Sequence, residues 1–409
     1  MKNKQMKRQI IILLLSLLIA GCNIYELPST YNFLVTVNYP NNINKGAPIK
    51  NRDILIRELQ TGREYTKKTD TTGVVTFNVR GGNYSIIISF EEKHEINING
   101  YTTEKTLLFN GAINSAAVLN NESQFSIQTE YSILNEGFVI KELYTSGCRI
   151  PEGRLYSAAK FVEIYNNSNH ILFSDGLCFG VVYHKRTYTP NIWVDSEGKM
   201  LPRIPIWSYV AIVPGTGKEH PIQPGESFII ALSAINHKDD PNGTPNSIDL
   251  SGATWEMQTG ESRYVDNPLV PNILMYKISK ALYSKTIAIS PRGQISIIFK
   301  LPTNNLNSIF LDPNNYMIEP GGSENCFMVP FGWVIDGVEN VELHNSVFKS
   351  LPNRIDIGYI QHRGSGERVS IKRKVKEVIN GRTIYQDTNN STNDFLTNQN
   401  PTPGVIAKN

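Results

Sequence analysis

Phe138-Val139-Ile140-Lys141-Glu142-Leu143-Tyr144, followed across a Gly147-containing loop by Lys160-Phe161-Val162-Glu163-Ile164-Tyr165-Asn166-Asn167, decides the fold class. Both runs are dense in β-branched and aromatic residues and are bounded by Gly, Ser and Asn, so they read as strands. The chain on either side repeats the pattern. Phe33, Val35, Val37 and Tyr39 alternate as a half-buried strand requires, and Ile54 and Ile56 mark the next one. Thr61-Gly62 reads as a turn. In Thr69-Asp70-Thr71-Thr72-Gly73 the Asp can bond amides ahead of it and the Gly can take a positive φ. Val75, Phe77 and Val79 alternate again, Gly81-Gly82 reads as closing a hairpin, and Tyr84, Ile86 and Ile88 lie on its partner strand. Strands should continue at 106–109 and 124–127. No long segment carries an amphipathic helical stripe between good caps, and 278–289 is the one short helix candidate. The expected class is all-β.

The first residues carry an address. Lys2, Lys4, Lys7 and Arg8 precede an apolar run from Ile10 to Ala20, and Leu18-Ile19-Ala20-Gly21-Cys22 resembles the bacterial lipobox, at which a signal is cut and the cysteine acylated. The apolar run falls short of the roughly 20 residues a membrane span needs. Residues 1–21 are therefore expected to leave as a signal peptide, with Cys22 lipidated and 22–30 acting as a tether to the outer membrane. Asn23-Ile24-Tyr25-Glu26 holds a single acid, so periplasmic and surface-facing placements both stay open. All four signal charges are positive, so the formal +3 of the whole chain falls to about −1 after cleavage. A chain so nearly balanced has no basic footprint for nucleic acid.

The remaining length exceeds a single core and predicts two units. Residues 31–90 resemble the transthyretin-like or carboxypeptidase-regulatory β-sandwich, through the Thr69-to-Gly73 turn, the alternating strand after it and Gly82-Asn83-Tyr84, which implies a domain spanning 31–132. From 133 to 409 the chain resembles the lamin-tail domain, an immunoglobulin-like sandwich. The residues that carry this are the two opening strands, Leu172 to Leu177, Gln223-Pro224-Gly225-Glu226 before Phe228 to Leu232, then Gly366, Val369, Ile371 and Arg373, Asp387, and Pro401-Thr402-Pro403-Gly404. The order of units is similar to that of an uncharacterised family of Bacteroides-type envelope lipoproteins, which implies location and architecture without an activity. An immunoglobulin-like core needs only about 100 residues, so extra material is inserted, chiefly at 185–222, 237–290 and 303–330. Loops on a rigid sandwich commonly carry binding surfaces.

Trp193, Trp207 and Trp255 fall in the first two insertions, with Tyr188, Tyr209 and Tyr264 nearby. Trp193, Trp207, Tyr209 and Trp255 are candidates for a stacking platform; the alternative is that long loops build a small core of their own. Asp239, Asp240, Asn242 and Asp249 offer oxygen ligands around Gly243, as a calcium loop would, although Asp-Pro-Asn-Gly is equally an ordinary turn. Beyond calcium no cofactor is expected. Besides Cys22, a Cys148–Cys178 disulfide is one arrangement and three separate buried thiols, Cys326 included, the other. Within the run Arg368, Lys372, Arg373, Lys374, Lys376 and Arg382, which could suggest a polyanion site, Ser370, Lys372, Lys374 and Lys376 fall on one face of a strand and read as its solvated face. No nucleophile elbow, zinc-binding pair or phosphate loop is present, and the seven histidines are scattered. The expectation is a non-enzymatic, lipid-anchored binding or accessory module. By analogy with such envelope lipoproteins it would work with a TonB-dependent outer-membrane receptor in nutrient uptake. A hydrolytic enzyme built from the inserted loops, and an adhesion or scaffold protein, are the alternatives.

Overall fold

The computed structural model describes residues 30–407 except 99–100, 134–136, 261, 263, 280–286, 304, 346 and 363. Cys22 with its signal lies outside the described residues, as does most of the 278–289 helix candidate. The described chain is all-β, with several sheets that mix parallel and antiparallel neighbours.

The first nine strands are β1 (Thr30–Asn38), β2 (Asp53–Glu58), β3 (Glu64–Lys68), β4 (Val74–Arg80), β5 (Gly82–Ile98), β6 (Tyr101–Val118), β7 (Gln124–Gln128), β8 (Glu130–Ile133) and β9 (Phe138–Tyr144). The first eight form two sheets, β4-β1-β7 and β3-β2-β5-β6-β8, closed over one apolar cluster. Alternation supplies both inner faces: Phe33, Val35, Val37, Val75, Phe77 and Val79 from one sheet, Ile54, Ile56, Tyr84, Ile86 and Ile88 from the other. The Asp70 turn forms as its residues predict, with Asp70 Oδ1 accepting from the amides of Thr72 (2.8 Å) and Val74 (3.0 Å) while Gly73 takes a φ of 75°. One expectation is corrected. Gly81-Gly82 does not close a hairpin, because β4 pairs with β1 while β5 pairs with β2 and β6. The glycines turn the chain from one sheet to the other, so the two apolar faces meet across the core instead of lying side by side.

In the rest of the chain, a six-stranded sheet runs in the order 255–256, 227–231, 161–166, β9, 370–373, 395–399. An eight-stranded sheet built on 203–212, 177–182, 295–300 and 334–341 packs against it. The register of β9 against Phe161–Asn166 slips between Glu142 and Ile140, leaving Lys141 as a bulge. That extra residue changes the parity of the strand. Phe138 and Ile140 face the shared core before it and Leu143 after it, so Glu142 is turned to the opposite side, where Thr402 of the carboxy-terminal segment covers it. Lys141 pairs with the buried Glu163 at 2.6 Å.

The eight-stranded sheet is apolar on both faces. Leu177 and Phe179 enter the core shared with the six-stranded sheet, while Cys178 and Val182 enter a second cluster on the far face. The 303–330 insertion covers that far face, through Ile309 and Phe310 of a short helix (Leu306–Phe310) and the added strands Tyr316–Ile318 and Asn325–Pro330. The insertions are thus largely core-building material. The basic run is corrected as well. Ser370 and Arg373 are buried, and Lys372 donates to Thr402 Oγ1 at 2.6 Å. Ile371 enters the core shared with the eight-stranded sheet, while the carboxy-terminal segment at Thr402 covers Lys372.

The amino-terminal sheets dock on the rest along β6 and β8. Asn110 Nδ2 donates to Thr388 O (3.1 Å), Asn353 Nδ2 to Ala112 O (3.0 Å) and Asn389 Nδ2 to Ser132 Oγ (3.0 Å). Gly111, at the centre of this seam, has Ile127 packed so tightly over it that a Cβ would run into the Ile127 methyl. Gly111→Ala should cost about 1–3 kcal/mol, as overpacking does, read as a lowered urea midpoint at unchanged slope. An unchanged midpoint would show that the two amino-terminal sheets absorb the added methyl without cost.

Candidate functional site

A cavity of about 640 Å3 opens along that seam. One wall is β7 and the start of β8, with Ser126, Gln128, Thr129 and Glu130, and Asn110 and Asn114 of β6 lie beside them. The other wall is Gly198 to Met200, Phe331, Pro352 and Asn353. Each part of this second wall is held from behind. Asp195 accepts from the amides of Glu197 (2.9 Å) and Lys199 (3.0 Å) and shapes the tip of the Gly198 turn, while Trp193 and Leu201 anchor its base beside Cys326 and Met328. The Pro352 loop is held by Glu339, which is fully buried and accepts from the amides of Ser350 (2.8 Å) and Leu351 (2.7 Å), with Lys349 at 3.4 Å. Burial raises the Glu339 carboxyl above its usual range, against the pull of Lys349.

The lining is mostly neutral and polar. Glu130 and Lys199 are the ionisable groups in it, both exposed. Gln128 Nε2 donates to Asn41 Oδ1 (2.8 Å), and Thr129 Oγ1 donates to Asn38 O (3.0 Å). Asn110 is 2% exposed, and its Oδ1 has no hydrogen-bond partner. Amide and hydroxyl groups of this kind have the chemistry to hold and orient a small molecule.

The residues singled out from sequence lie elsewhere. Trp193, Tyr209 and Trp255 are 3–5% exposed and packed in clusters, and Trp207 is half-buried with its Nε1 on Glu324 Oε2 at 2.6 Å. Trp193, Tyr209 and Trp255 present no open face to stack on. They supply the core that long insertions need, and Trp193 serves the cleft only by seating its wall. The calcium candidates take part in local turns. Asp240 Oδ1 accepts from the Asn242 amide (2.8 Å), and the amide of Gly243 donates to Asp240 O (2.8 Å), an ordinary turn. Asp239 Oδ2 is occupied by Asn236 (2.6 Å) and Asp249 Oδ1 by Ser251 (2.9 Å), so the four side chains serve separate turns. Cys148, Cys178 and Cys326 are three buried free thiols, and no Cys148–Cys178 bridge forms because the two belong to different apolar clusters.

Three groupings were invisible in the sequence. Asp175, Glu219 and His220 bring possible metal ligands within 4.8 Å, but Asp175 already accepts from the amides of Gly217 (3.2 Å), Glu219 (2.8 Å) and His220 (2.9 Å). Burial pushes the Asp175 carboxyl up, and these amides outweigh it to hold the group below its usual range. The arrangement fits a loop clamp. Tyr156 Oη lies 2.6 Å from both His237 Nδ1 and Asp240 Oδ2, while His237 Nε2 meets Ser233 O at 2.9 Å. This trio ties the 237–249 loop to the short Leu155–Tyr156 strand. In the third, Arg373 sits among Asp336, Asp387 (3.2 Å) and Asp394 (3.8 Å). Pairing of Arg373 with Asp336 was not foreseeable, because Asp336 reaches it only through the packing of one sheet on the other. No spacing in the sequence signals the Asn110 cleft either, since its walls come from six separated segments.

Comparison with known proteins agrees with this fold. Residues 223–402 match the family model described as protein of unknown function (DUF4876). A crystal structure of a DUF4876 family protein from Bacteroides thetaiotaomicron is similar along 92% of this chain and 98% of its own, with a TM-score of 0.58 and 23% identity. That likeness is one of fold. The search of curated proteins returned no match.

Burial pushes the Asp394 carboxyl up to about 6, with Arg373 opposing and Asp387 adding to the rise. Its unfolded value lies near 3.9, so the folded chain binds this proton more tightly. The stability it contributes is complete below about pH 4 and is lost as pH rises through about 6. Relative to Asp394→Asn, the protein should therefore gain stability on acidification from about pH 7 to 5, seen as a rising urea midpoint; parallel curves would remove Asp394 as a titrating group.

Proposed function

We propose that this chain is a lipid-anchored envelope protein that binds a small molecule without transforming it, in the cleft between the amino-terminal sheets and the rest. In this reading Cys22 carries the acyl anchor, residues 31–132 are a transthyretin-like stalk, and 133–409 form a lamin-tail-like sandwich enlarged by insertions. The observation that carries it is the cleft itself. Its volume of about 640 Å3 falls within the roughly 300–1,000 Å3 usual for small-ligand sites, and its lining is rich in amides and poor in ionisable groups. A TonB-dependent receptor that accepts the captured nutrient is the partner this role calls for. The hydrolase alternative needs an acid and a base converging on one point, and Glu130 and Lys199 are the ionisable groups of the lining available for it.

Two experiments test the reading. Ser126 is exposed on the cleft wall, so Ser126→Trp should fill the cleft without disturbing a core. A low-molecular-weight extract of the source cells should raise the melting temperature of the unmodified protein and leave that of Ser126→Trp in place. Equal shifts in both would move the site elsewhere, and appearance of new species on incubating the extract with the protein would favour the hydrolase. Cys22→Ser should abolish incorporation of radiolabelled palmitate and release the protein into the aqueous phase; continued labelling would overturn the anchor.

A further inference from the structure

Resting on the reading of the cleft as a binding site, we infer that its ligand is a short uncharged peptide, bound extended as a strand added to the free edge of β7. The two strands β1 and β7 run parallel in unbroken register, with Leu34 opposite Gln124, Thr36 opposite Ser126 and Asn38 opposite Gln128. Leu34 N donates to Ser123 O at 3.1 Å and Thr129 N donates to Asn38 O at 2.9 Å, so the odd-numbered residues of this stretch turn their backbone groups toward β1. Alternate residues of a strand point their N–H and C=O to opposite edges. Ser126 and Gln128 therefore aim theirs away from β1. No strand among the described residues pairs with that edge, because β7 ends the order β4-β1-β7. The edge faces the cavity, which Ser126 to Glu130 line, and both Ser126 and Gln128 are exposed.

Backbone groups left at an edge are a template for another extended chain. Ser126 and Gln128 present two sets of one donor and one acceptor, spaced by two residues or roughly 7 Å, and a peptide strand carries matching sets at the same interval along one of its own edges. Where β8 no longer covers β6, Asn353 Nδ2 donates to Ala112 O at 3.0 Å, so an amide from the facing wall already serves a strand backbone in this cleft. The edge of β7 carries none of the devices that keep strangers off. Gln124-Phe125-Ser126-Ile127-Gln128 holds no Lys or Pro, and its register has no bulge. What guards it is the second wall, Gly198 to Met200 with Phe331 and Pro352. That wall stands where a whole sheet would have to dock, so the occupant is a short single chain and not a second copy of the protein. The edge also ends at Glu130, where the chain passes into β8 of the other sheet, which limits the added strand to a few residues. The opposed charges of Glu130 and Lys199 give the site no net sign with which to select a charged chain.

The test is calorimetric titration of the full mature chain with a panel of capped pentapeptides of threonine, valine, serine and alanine. The expected result is saturable binding of at least one of them. Each binder is then compared with two N-methylated forms, one methylated on the first, third and fifth amides and the other on the second and fourth. A chain held by one edge loses affinity at least tenfold in one form and keeps it in the other; equal affinities in the two overturn the inference. Ser126→Pro removes the outward N–H and leaves the ladder with β1 in place, since proline is tolerated where the N–H of an edge strand faces away from its neighbour. It should weaken binding at least tenfold while keeping the melting curve of the unmodified protein, and undiminished binding overturns the inference. Should this variant melt lower, the pair of N-methylated peptides decides alone. Absence of heat with every peptide overturns the inference too. So does binding of a neutral disaccharide that Ser126→Trp blocks, while sustaining the cleft as a binding site. If the extract-induced stabilisation is indifferent to Ser126→Trp, the reading of the cleft itself fails, and that outcome is separate from the choice of ligand.

Discussion

Ile140 is gripped at both of its backbone groups by one buried ion pair, and the arrangement of the larger part of the molecule follows from that grip. Asp336 Oδ2 accepts from Ile140 N at 2.7 Å, Arg373 Nε donates to Ile140 O at 2.8 Å, and Arg373 and Asp336 pair directly. The bulge at Lys141 explains why these groups are available. The ladder between β9 and Ser370–Arg373 covers Leu143 and Glu142 and ends there, so Ile140 would otherwise hold an unmet donor and acceptor in the core, at a cost of about 1–3 kcal/mol each. Asp336 comes from the facing sheet, and the contact therefore fixes how the two sheets lie on one another. Removing one partner of such a pair typically costs about 3–5 kcal/mol, more than any single apolar contact at this position supplies.

The same constraint reaches the seam. Arg373 also bonds the backbone of Gln386 (3.1 Å) and the side chain of Asp387 (3.2 Å). Asp394, beside it, accepts from Thr388 N at 2.8 Å. Thr388 O is in turn the acceptor that fixes Asn110. A chain of bonds thus runs from the centre of the six-stranded sheet to Asn110 at the cleft. The buried charges organise the cleft without lining it, which is why its surface is neutral although a cluster of carboxylates lies close behind.

The insertions have a double role that their composition alone does not separate. Most of their apolar residues, Trp193, Trp255, Ile309 and Phe310 among them, are committed to clusters that cover both faces of the large sheet. What they leave at the surface is short, Gly198 to Met200 being the example at the cleft. Anchoring by a buried aromatic beneath a polar turn tip is a sound way to hold a binding loop still, since the loop then loses little freedom when a ligand arrives. The aromatic signal in the sequence was real; its place was behind the site.

Local order was legible in the sequence wherever it depends on neighbours along the chain. Period-two alternation marked β1, β2 and β4, the Asp70 and Gly73 pair marked their turn, and the Pro-Gly step marked the strand at Ser227–Ala231, because burial of one face and turn chemistry act over a few residues. The all-β class followed from these. Pairing was not legible: Gly81-Gly82 suits a hairpin and a crossing between sheets equally, and only the meeting of Phe77 with the inner face of β5 decides between them. Nor could Asp175, Tyr156 or Arg373 be given partners, since those partners lie tens to hundreds of residues away and are selected by the register of strands. The candidate site belonged wholly to this second kind. Asn110, Phe331 and Asn353 are unremarkable in sequence and become a cavity only because two sets of sheets, each satisfied internally, meet along a seam too polar to close.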